Sequence, residues 1–313
     1  MEDTPMEDPF DIIILGGGIA AMTAALYTAR AGLNTVILEK SSCGGQVNTT
    51  HVIENFPSRP SVIGVELMEM VQDQVESLGV DIRDVTQVEG LDLAGPMKTV
   101  HTEDGPIQAP VVILATGRRP RALTLETECD AIHYCAICDG SAYRDKNVLV
   151  VGGGNSGVEE SAYLLGLGAQ TVTIIEKMDT LAASAQAQEE LSPFGERVNI
   201  YTATELVSLV EEDHCLKGVV ISTPHGEKEL PMDGIFVYMG HETQSEIFSD
   251  QVTTDSLGYV KVGPDMSTSI PGVFAAGDTI QKKYCQITTA MGDATIAALA
   301  SADYIRQLRA DNQ

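Results

Sequence analysis

The sequence predicts an α/β protein carrying two Rossmann-like dinucleotide-binding units. Three observations predict it. Two strand–glycine loop–helix–strand cassettes each close on an acidic residue, and a further strand near the C-terminal end runs into Gly-Asp. The first cassette opens with D-I-I-I-L-G, residues 11–16, an apolar run that suits a strand buried on both faces. G-G-G-I-A-A follows, Gly16 to Ala21, and then an Ala-rich helical stretch to about Ala31. The next strand, T-V-I-L-E, ends at Glu39. Gly16 permits the tight turn. Gly18 lets backbone approach a pyrophosphate at the helix N-terminus, and Ala21 stands in the last glycine position. Glu39 lies where a carboxylate accepts hydrogen bonds from a ribose.

The second cassette repeats the grammar. N-V-L-V-V-G, residues 147–152, runs into G-G-N-S-G, and a helix follows through V-E-E-S-A-Y-L-L. Gly152, Gly154 and Gly157 keep the full glycine spacing, and the next strand, T-V-T-I-I-E, ends at Glu176. The cassette is either a second nucleotide site or a unit that merely packs. Two such folds in one chain point to a flavin and a second electron source. P-G-V-F-A-A-G-D, residues 271–278, agrees: it places Asp278 at a strand end, within reach of a flavin ribityl chain or pyrophosphate. V-V-I-L-A-T-G, residues 111–117, is another buried strand leading into a glycine turn.

Composition narrows the function classes. The 313 residues are 43% hydrophobic and 20% charged, which suits a globular protein of two ordinary domains. No apolar run reaches the length of a membrane span, and the acidic start M-E-D-T-P-M-E-D is neither signal nor transit peptide, so a cytoplasmic location is expected. The net charge of −26 excludes nucleic acid and anionic membrane as natural partners. Six scattered cysteines are too sparse for a secreted disulfide scaffold. In a reducing compartment the close pair in Y-C-A-I-C-D-G, residues 134–140, reads as redox-active or metal-binding.

The motifs together resemble the low-molecular-weight thioredoxin reductases from end to end. They are G-G-G-I-A-A (16–21), G-G-Q (44–46), E-N-F-P (54–57), A-T-G (115–117), C-A-I-C-D-G (135–140), G-G-G-N-S-G-V-E-E (152–160), M-G-H (239–241) and P-G-V-F-A-A-G-D (271–278). The resemblance implies a discontinuous FAD-binding domain, about 1–117 and 243–313, with the second Rossmann-like domain, 118–242, inserted into it. It implies a homodimer and a rotation of the inserted domain about hinges near Arg118 and Gly240–Glu242. The FAD ligands it implies are Gly16, Gly18, Ala20, Ala21, Glu39, Lys40, Gly45, Gln46, Asn55, Ala115, Thr116, Gly117, Gly277, Asp278, Gln286 and Ile287. In the second fold Gly152, Gly154, Asn155, Ser156, Gly157 and Glu176 are the nucleotide candidates.

A metal reading of Cys135 and Cys138 lacks the two further ligands it needs, so no metal site is expected. A structural disulfide closing so short a loop would constrain the unfolded chain little. By resemblance, Cys138 takes electrons from the flavin, Cys135 is the interchange thiol, and Asp139 carries protons to and from thiols. Thiol–disulfide exchange with thioredoxin or a thioredoxin-like protein follows.

The sequence departs from the family at the donor site. NADPH-dependent relatives carry H-R-R-x-x-x-R after the second strand of this fold; here the segment reads E-K-M-D-T-L-A from Glu176. A carboxylate where a 2′-phosphate should sit is repulsive, so NADPH is not expected. Two donors remain: NADH, with Glu176 on its ribose as in the alkyl hydroperoxide reductase flavoproteins, or a protein such as ferredoxin. The first donor extends to an NADH-linked reductase of a peroxidase-type partner. M-G-H-E-T-Q (239–244) lacks the proline and asparagine usual after Gly-His, and Cys285, Gln286 and Ile287 stand where relatives read R-Q-A. D-A-I-H-Y, residues 130–134, replaces the usual G-R-G-V-S before the cysteine pair, which points to an atypical thioredoxin. A ferredoxin–NADP reductase-like enzyme, or a redox sensor without catalysis, would not need Cys135, Cys138 and Asp139 together. The doublets Arg118–Arg119 and Lys282–Lys283 could meet an acidic donor, and Tyr284 and Tyr304 could cover a flavin face, though core packing is the expected role. Cys43, Cys129 and Cys215 fit no pattern.

Overall fold

Runs of β-branched and leucyl residues build the centre of each half. The computed structural model describes residues 9–49, 53, 55–125, 127, 129–134 and 136–311. The chain divides into two compact units: one of residues up to Thr49, Ile53–Arg119 and Glu242–Gln313, the other Pro120–His241. The chain crosses between them on two short strands, Arg118–Pro120 and His241–Thr243, which pair with each other.

In the first unit five parallel strands lie in the order Val273–Ala275, Val111–Leu114, Ile12–Leu15, Thr35–Leu38, Asp81–Arg83. Alternation sends Ile12, Ile14 and Ile37 into one core with the helices Ile19–Arg30, Gly64–Glu76 and Ile287–Asp311. Ile13, Leu15, Val36 and Leu38 enter the other, against Leu91, Val100 and Ala109 of a three-stranded antiparallel sheet. Burial on both faces is why these strands read as unbroken apolar runs; each fully buried Ile or Leu contributes about 2 kcal/mol. The helix Ile19–Arg30 is Ala-rich because it meets a second alanine face, Ala290, Ala294, Ala297 and Ala298 of the C-terminal helix, in the same core.

The second unit repeats the plan. Its parallel sheet runs Val198–Tyr201, Thr171–Ile175, Asn147–Val151, Gly234–Val237, Ile132–His133. The helix Asn155–Leu167 buries Val158, Leu164 and Leu165 against it. On the other face sits an antiparallel sheet of Glu205–Glu212, Cys215–Thr223 and Gly226–Pro231. The helix ends on Gly168, left-handed at φ 104°, a conformation that other residues adopt at a cost.

Gly16 marks the point of greatest backbone constraint in the first unit. It has φ 108°, and a β-carbon there would stand 2.4 Å from the Ala115 carbonyl oxygen. Gly16→Ala is therefore expected to destabilise the protein by about 2–4 kcal/mol, from backbone strain plus overpacking. Urea unfolding of the variant measures this; an unchanged midpoint would contradict it.

Candidate functional site

The first fingerprint loop is held by its own acid. Glu39, just past its strand, accepts a hydrogen bond from Gly17 N at 2.6 Å through Oε2, and from Ser41 N and Oγ, both at 2.9 Å, through Oε1. Gly44 N donates to Gly17 O at 2.9 Å and Gly44 bridges Gly18, so the G-G-Q loop lies against the fingerprint. Gly18 has only Gly45 Cα near the place of a β-carbon, at 3.9 Å. The helix Ile19–Arg30 has no capping side chain, which leaves amide donors at its N-terminus for an anion. Ala20 packs on Gly277, whose β-carbon would stand 2.7 Å from the Ala20 methyl; Ala21 is fully buried.

The remaining flavin candidates gather in the same unit. Gln46 donates to the Arg118 carbonyl and Lys40 to Gln244, whose amide reaches Thr116 O at 3.0 Å. Thr116 and Thr279 hydroxyls are 3.3 Å apart, and Asn55 donates to Gln286 at 3.1 Å. Ala115 donates to Leu15 O, Gly117 turns with φ 67° into open space, and Ile287 begins the C-terminal helix.

Asp278 is the charged centre. Arg118 Nε lies 3.4 Å from Oδ2, and Lys282 Nζ lies 3.2 Å from Oδ1 and 2.8 Å from Asp293. Neither Asp278 contact is a directed hydrogen bond: Asp278 Oδ1 and Arg118 Nε are buried with no hydrogen-bond partner. Buried unsatisfied groups of this strength call for a ligand. The orphaned carboxylate oxygen, the open glycines and the uncapped helix fit FAD, with Asp278 receiving hydroxyls and the fingerprint amides receiving phosphate. Cys285 sits beside this cluster; burial and then the Asp278 charge push its thiol up, so it is a poor nucleophile. Two cations, Arg118 and Lys282, stand beside Asp278 in this cluster, contacts that the sequence did not suggest.

Expectations for the doublets change accordingly. Arg118 and Lys282 serve Asp278, Arg119 pairs with Glu242 at 2.6 Å, and Lys283 lies over the Tyr284 ring. Three of the four cations are already paired. Tyr304 packs edge-on to Phe274 as expected, but Tyr284 is 63% exposed and is not a core residue. Burial and the charges of Glu39, Asp84 and Glu76 push Cys43 up to about 11, an inert thiol beside the loop.

The second fingerprint repeats both amide contacts of the first acid. Glu176 Oε2 accepts from Gly153 N at 2.7 Å, and Oε1 accepts from Met178 N at 2.9 Å. Gly152 has φ 114°, with its β-carbon position 2.2 Å from Tyr238 O. Gly157 approaches the Gly152 carbonyl at 2.0 Å in the same sense, while Gly154 has nothing within 4 Å. The helix Asn155–Leu167 again lacks a capping side chain. Asn155 accepts from Ser184 N at 2.7 Å, and Ser156 is exposed. Lys177, the cation next to Glu176 in sequence, is taken by Glu205 at 3.0 Å.

Cys135 lies outside the described residues, and so does the thiol of Cys138. Their surroundings are described. Ala136–Asp139 forms a single helical turn, and the Tyr238 hydroxyl accepts a hydrogen bond from Ala136 N at 2.9 Å. Tyr238 also bonds Glu160, whose Oε2 is buried without a partner. Burial raises both groups; the Glu160 charge raises Tyr238 further and Glu159 raises Glu160, while the hydrogen bond from Tyr238 pulls Glu160 back down. Asp139 is half-exposed, and His133 Nδ1 stands 3.3 Å from its Oδ2. No sequence signal marks Tyr238, Glu160 or this histidine contact, because each partner comes from a different element.

The family described as pyridine nucleotide-disulphide oxidoreductase matches residues 10–294. The chain is 39% identical over 297 residues to a thioredoxin reductase of Mycolicibacterium smegmatis, covering 92% of this chain and 94% of the relative. It is 38% identical over 304 residues to a 34.2 kDa protein in the rubredoxin operon of Clostridium pasteurianum, covering 96% and 98%. The crystal structure of Lactococcus lactis thioredoxin reductase in its FR conformation matches with a TM-score of 0.79 at 36% identity, covering 95% of this chain and 99% of that one. Among the described residues no helix is long and apolar enough to cross a membrane.

Proposed function

The chain belongs to the pyridine nucleotide-disulphide oxidoreductase family as an FAD-dependent disulfide oxidoreductase, and we propose that it draws electrons from NADH, not NADPH, to reduce the disulfide of thioredoxin or a similar protein. The observation that carries the donor is the matched placement of Glu39 and Glu176. Each carboxylate is fixed by the second glycine amide of its own fingerprint, and Glu39 is the ribose acid of the flavin fold. Glu176 therefore presents the same acid to the ribose of a second dinucleotide. A free 2′-hydroxyl donates to it. A 2′-phosphate meets its charge, with Lys177 already engaged by Glu205.

FAD, when bound, supplies the two-electron relay between nicotinamide and disulfide. The chain's own residues do the rest. Amides at the start of Ile19–Arg30 and Asn155–Leu167 receive the two pyrophosphates, and Asp278 receives flavin hydroxyls. Cys138 accepts the electron pair as the Cys135–Cys138 disulfide opens. Cys135 thiolate attacks the partner disulfide, releasing one partner thiol and forming a mixed disulfide. Cys138 thiolate then displaces the second partner thiol and regenerates the disulfide. Asp139 takes the proton from the attacking thiol and returns it to the leaving one.

Anaerobic mixing of the FAD-loaded protein with each nicotinamide tests the donor. NADH is expected to bleach the flavin at least about a hundredfold faster than NADPH, and Glu176→Ala to lower the NADH rate about tenfold or more, as befits loss of a charge-assisted hydrogen bond. Bleaching by neither nucleotide, together with bleaching by reduced ferredoxin, would move the donor role to a protein. Equal bleaching by both would remove the part given to Glu176.

A further inference from the structure

His133 occupies the last position of the edge strand Ile132–His133, two residues before Cys135. Its ring is mostly buried, with a side-chain exposure of 17%. Nδ1 faces Asp139 Oδ2 at 3.3 Å, and Nε2 lies 2.6 Å from the Tyr143 hydroxyl. The ring packs 5.2 Å from Tyr143 and 5.1 Å from Phe236, centroid to centroid. These contacts form one chain: a half-exposed carboxylate adjacent to Cys138, a buried imidazole, and a buried phenol.

The chemistry of the ends decides the proton positions. Tyr143 is pushed up to about 12, by burial first and then by Asp139, so its hydroxyl keeps its proton. Burial lowers His133 below the ordinary imidazole range, overriding the raising effects of Asp139 and of Asp130. These are the charged groups facing the ring; Lys146 lies beyond, over the Tyr143 ring, at 5.3 Å from its centroid. A neutral imidazole has one donor and one acceptor. With Tyr143 donating to Nε2, the proton sits on Nδ1 and points to Asp139. Asp139 is thus held by a fixed donor on the side away from solvent.

We infer that His133 is a positioning residue for thiol–disulfide exchange, orienting the Asp139 carboxylate through its Nδ1–H while Asp139 passes a proton to a leaving thiolate. The inference rests on the proton-carrying role proposed for Asp139. The exchange itself balances as before: dithiol plus disulfide gives enzyme disulfide plus two partner thiols, with no proton or electron added by the histidine. What His133 changes is the readiness of Asp139 to give its proton when the leaving group is basic. An alkyl thiolate needs that proton, and an aryl thiolate of low basicity does not.

The test reads that difference. FAD-loaded enzyme, photoreduced anaerobically with deazaflavin and a sacrificial donor, is mixed with 2-hydroxyethyl disulfide or with 5,5′-dithiobis(2-nitrobenzoate). His133→Gln keeps a group near Tyr143 but loses the donor to Asp139. It is expected to slow reaction with the alkyl disulfide about tenfold or more and to leave the aryl disulfide within about threefold. His133→Asn places its amide N–H where Nδ1–H stands and is expected to restore the alkyl rate to within about threefold. In the Asp139→Asn background, His133→Gln should add nothing, since coupled residues are not additive. Equal losses on both disulfides, or no loss in His133→Gln while Asp139→Asn is slow, would overturn the part given to His133. A normal alkyl rate in Asp139→Asn would instead overturn the role of Asp139.

Discussion

Cys135→Ser is expected to abolish disulfide reduction, by at least about a thousandfold, while FAD binding and NADH-driven reduction of a small electron acceptor such as ferricyanide persist. The reasoning is chemical. A seryl hydroxyl is not ionised near neutrality and cannot exchange with a disulfide, whereas the flavin cluster around Asp278 and the fingerprint around Glu176 contain neither cysteine. Cys138→Ser is expected to lose turnover equally but to differ in what accumulates. Its Cys135 can still attack the partner, and without a resolving thiol the mixed disulfide is trapped. Non-reducing electrophoresis with a thioredoxin disulfide should show a covalent adduct for Cys138→Ser and none for Cys135→Ser. The opposite pattern would reverse the assignment of interchange and flavin-side thiols. Turnover retained in both would sink the redox role of the pair.

The parts of this chain that the sequence made legible are those whose physics is local. Ile12–Leu15, Val111–Leu114 and Asn147–Val151 are buried on both faces, so they appear as short apolar blocks in the sequence. Glycines 16 and 152 are readable because a turn with φ above 100° excludes other residues. The antiparallel sheets were not legible. Strands such as Glu205–Glu212, E-L-V-S-L-V-E-E, are half-exposed and interrupted by bulges, which erase the alternation that would announce them. The site divides the same way. The acids Glu39 and Glu176 directly follow strands, Asp278 sits in the 3-10 turn Gly277–Thr279 just after one, and all three follow from motif spacing. Arg118 looked like one half of a surface doublet, and only the fold brings its guanidinium to Asp278, 160 residues on in the chain. Tyr238 meets Ala136 across 102 residues, and His133 meets Asp139 across a helical turn that no periodicity describes. Contacts between elements are a product of tertiary packing, and no local propensity encodes them.

Gly154→Ala separates a working nucleotide site from a surviving scaffold. At Gly152 and Gly157 an added methyl strikes backbone, at 2.2 Å and 2.0 Å, so selection for folding alone would retain those glycines. Gly154 is different. Its φ of −77° and ψ of 177° are open to alanine, and nothing lies within 4 Å of its β-carbon position. Folding does not require glycine there, and alanine lowers backbone entropy in the unfolded chain. Glycine is the better N-cap residue and opposes that gain, so the substitution is expected to change stability by no more than about 1 kcal/mol. A dinucleotide requires the glycine, because the methyl would occupy the face over which the pyrophosphate approaches the amides of Asn155–Leu167. NADH-driven flavin bleaching is expected to fall about a hundredfold or more, equivalent to roughly 2.7 kcal/mol of lost binding, with photoreduction and disulfide exchange unaffected. Full NADH activity in Gly154→Ala would mean that no pyrophosphate sits on this loop, and the electrons would then have to enter by a route that bypasses the second fold's nucleotide cradle.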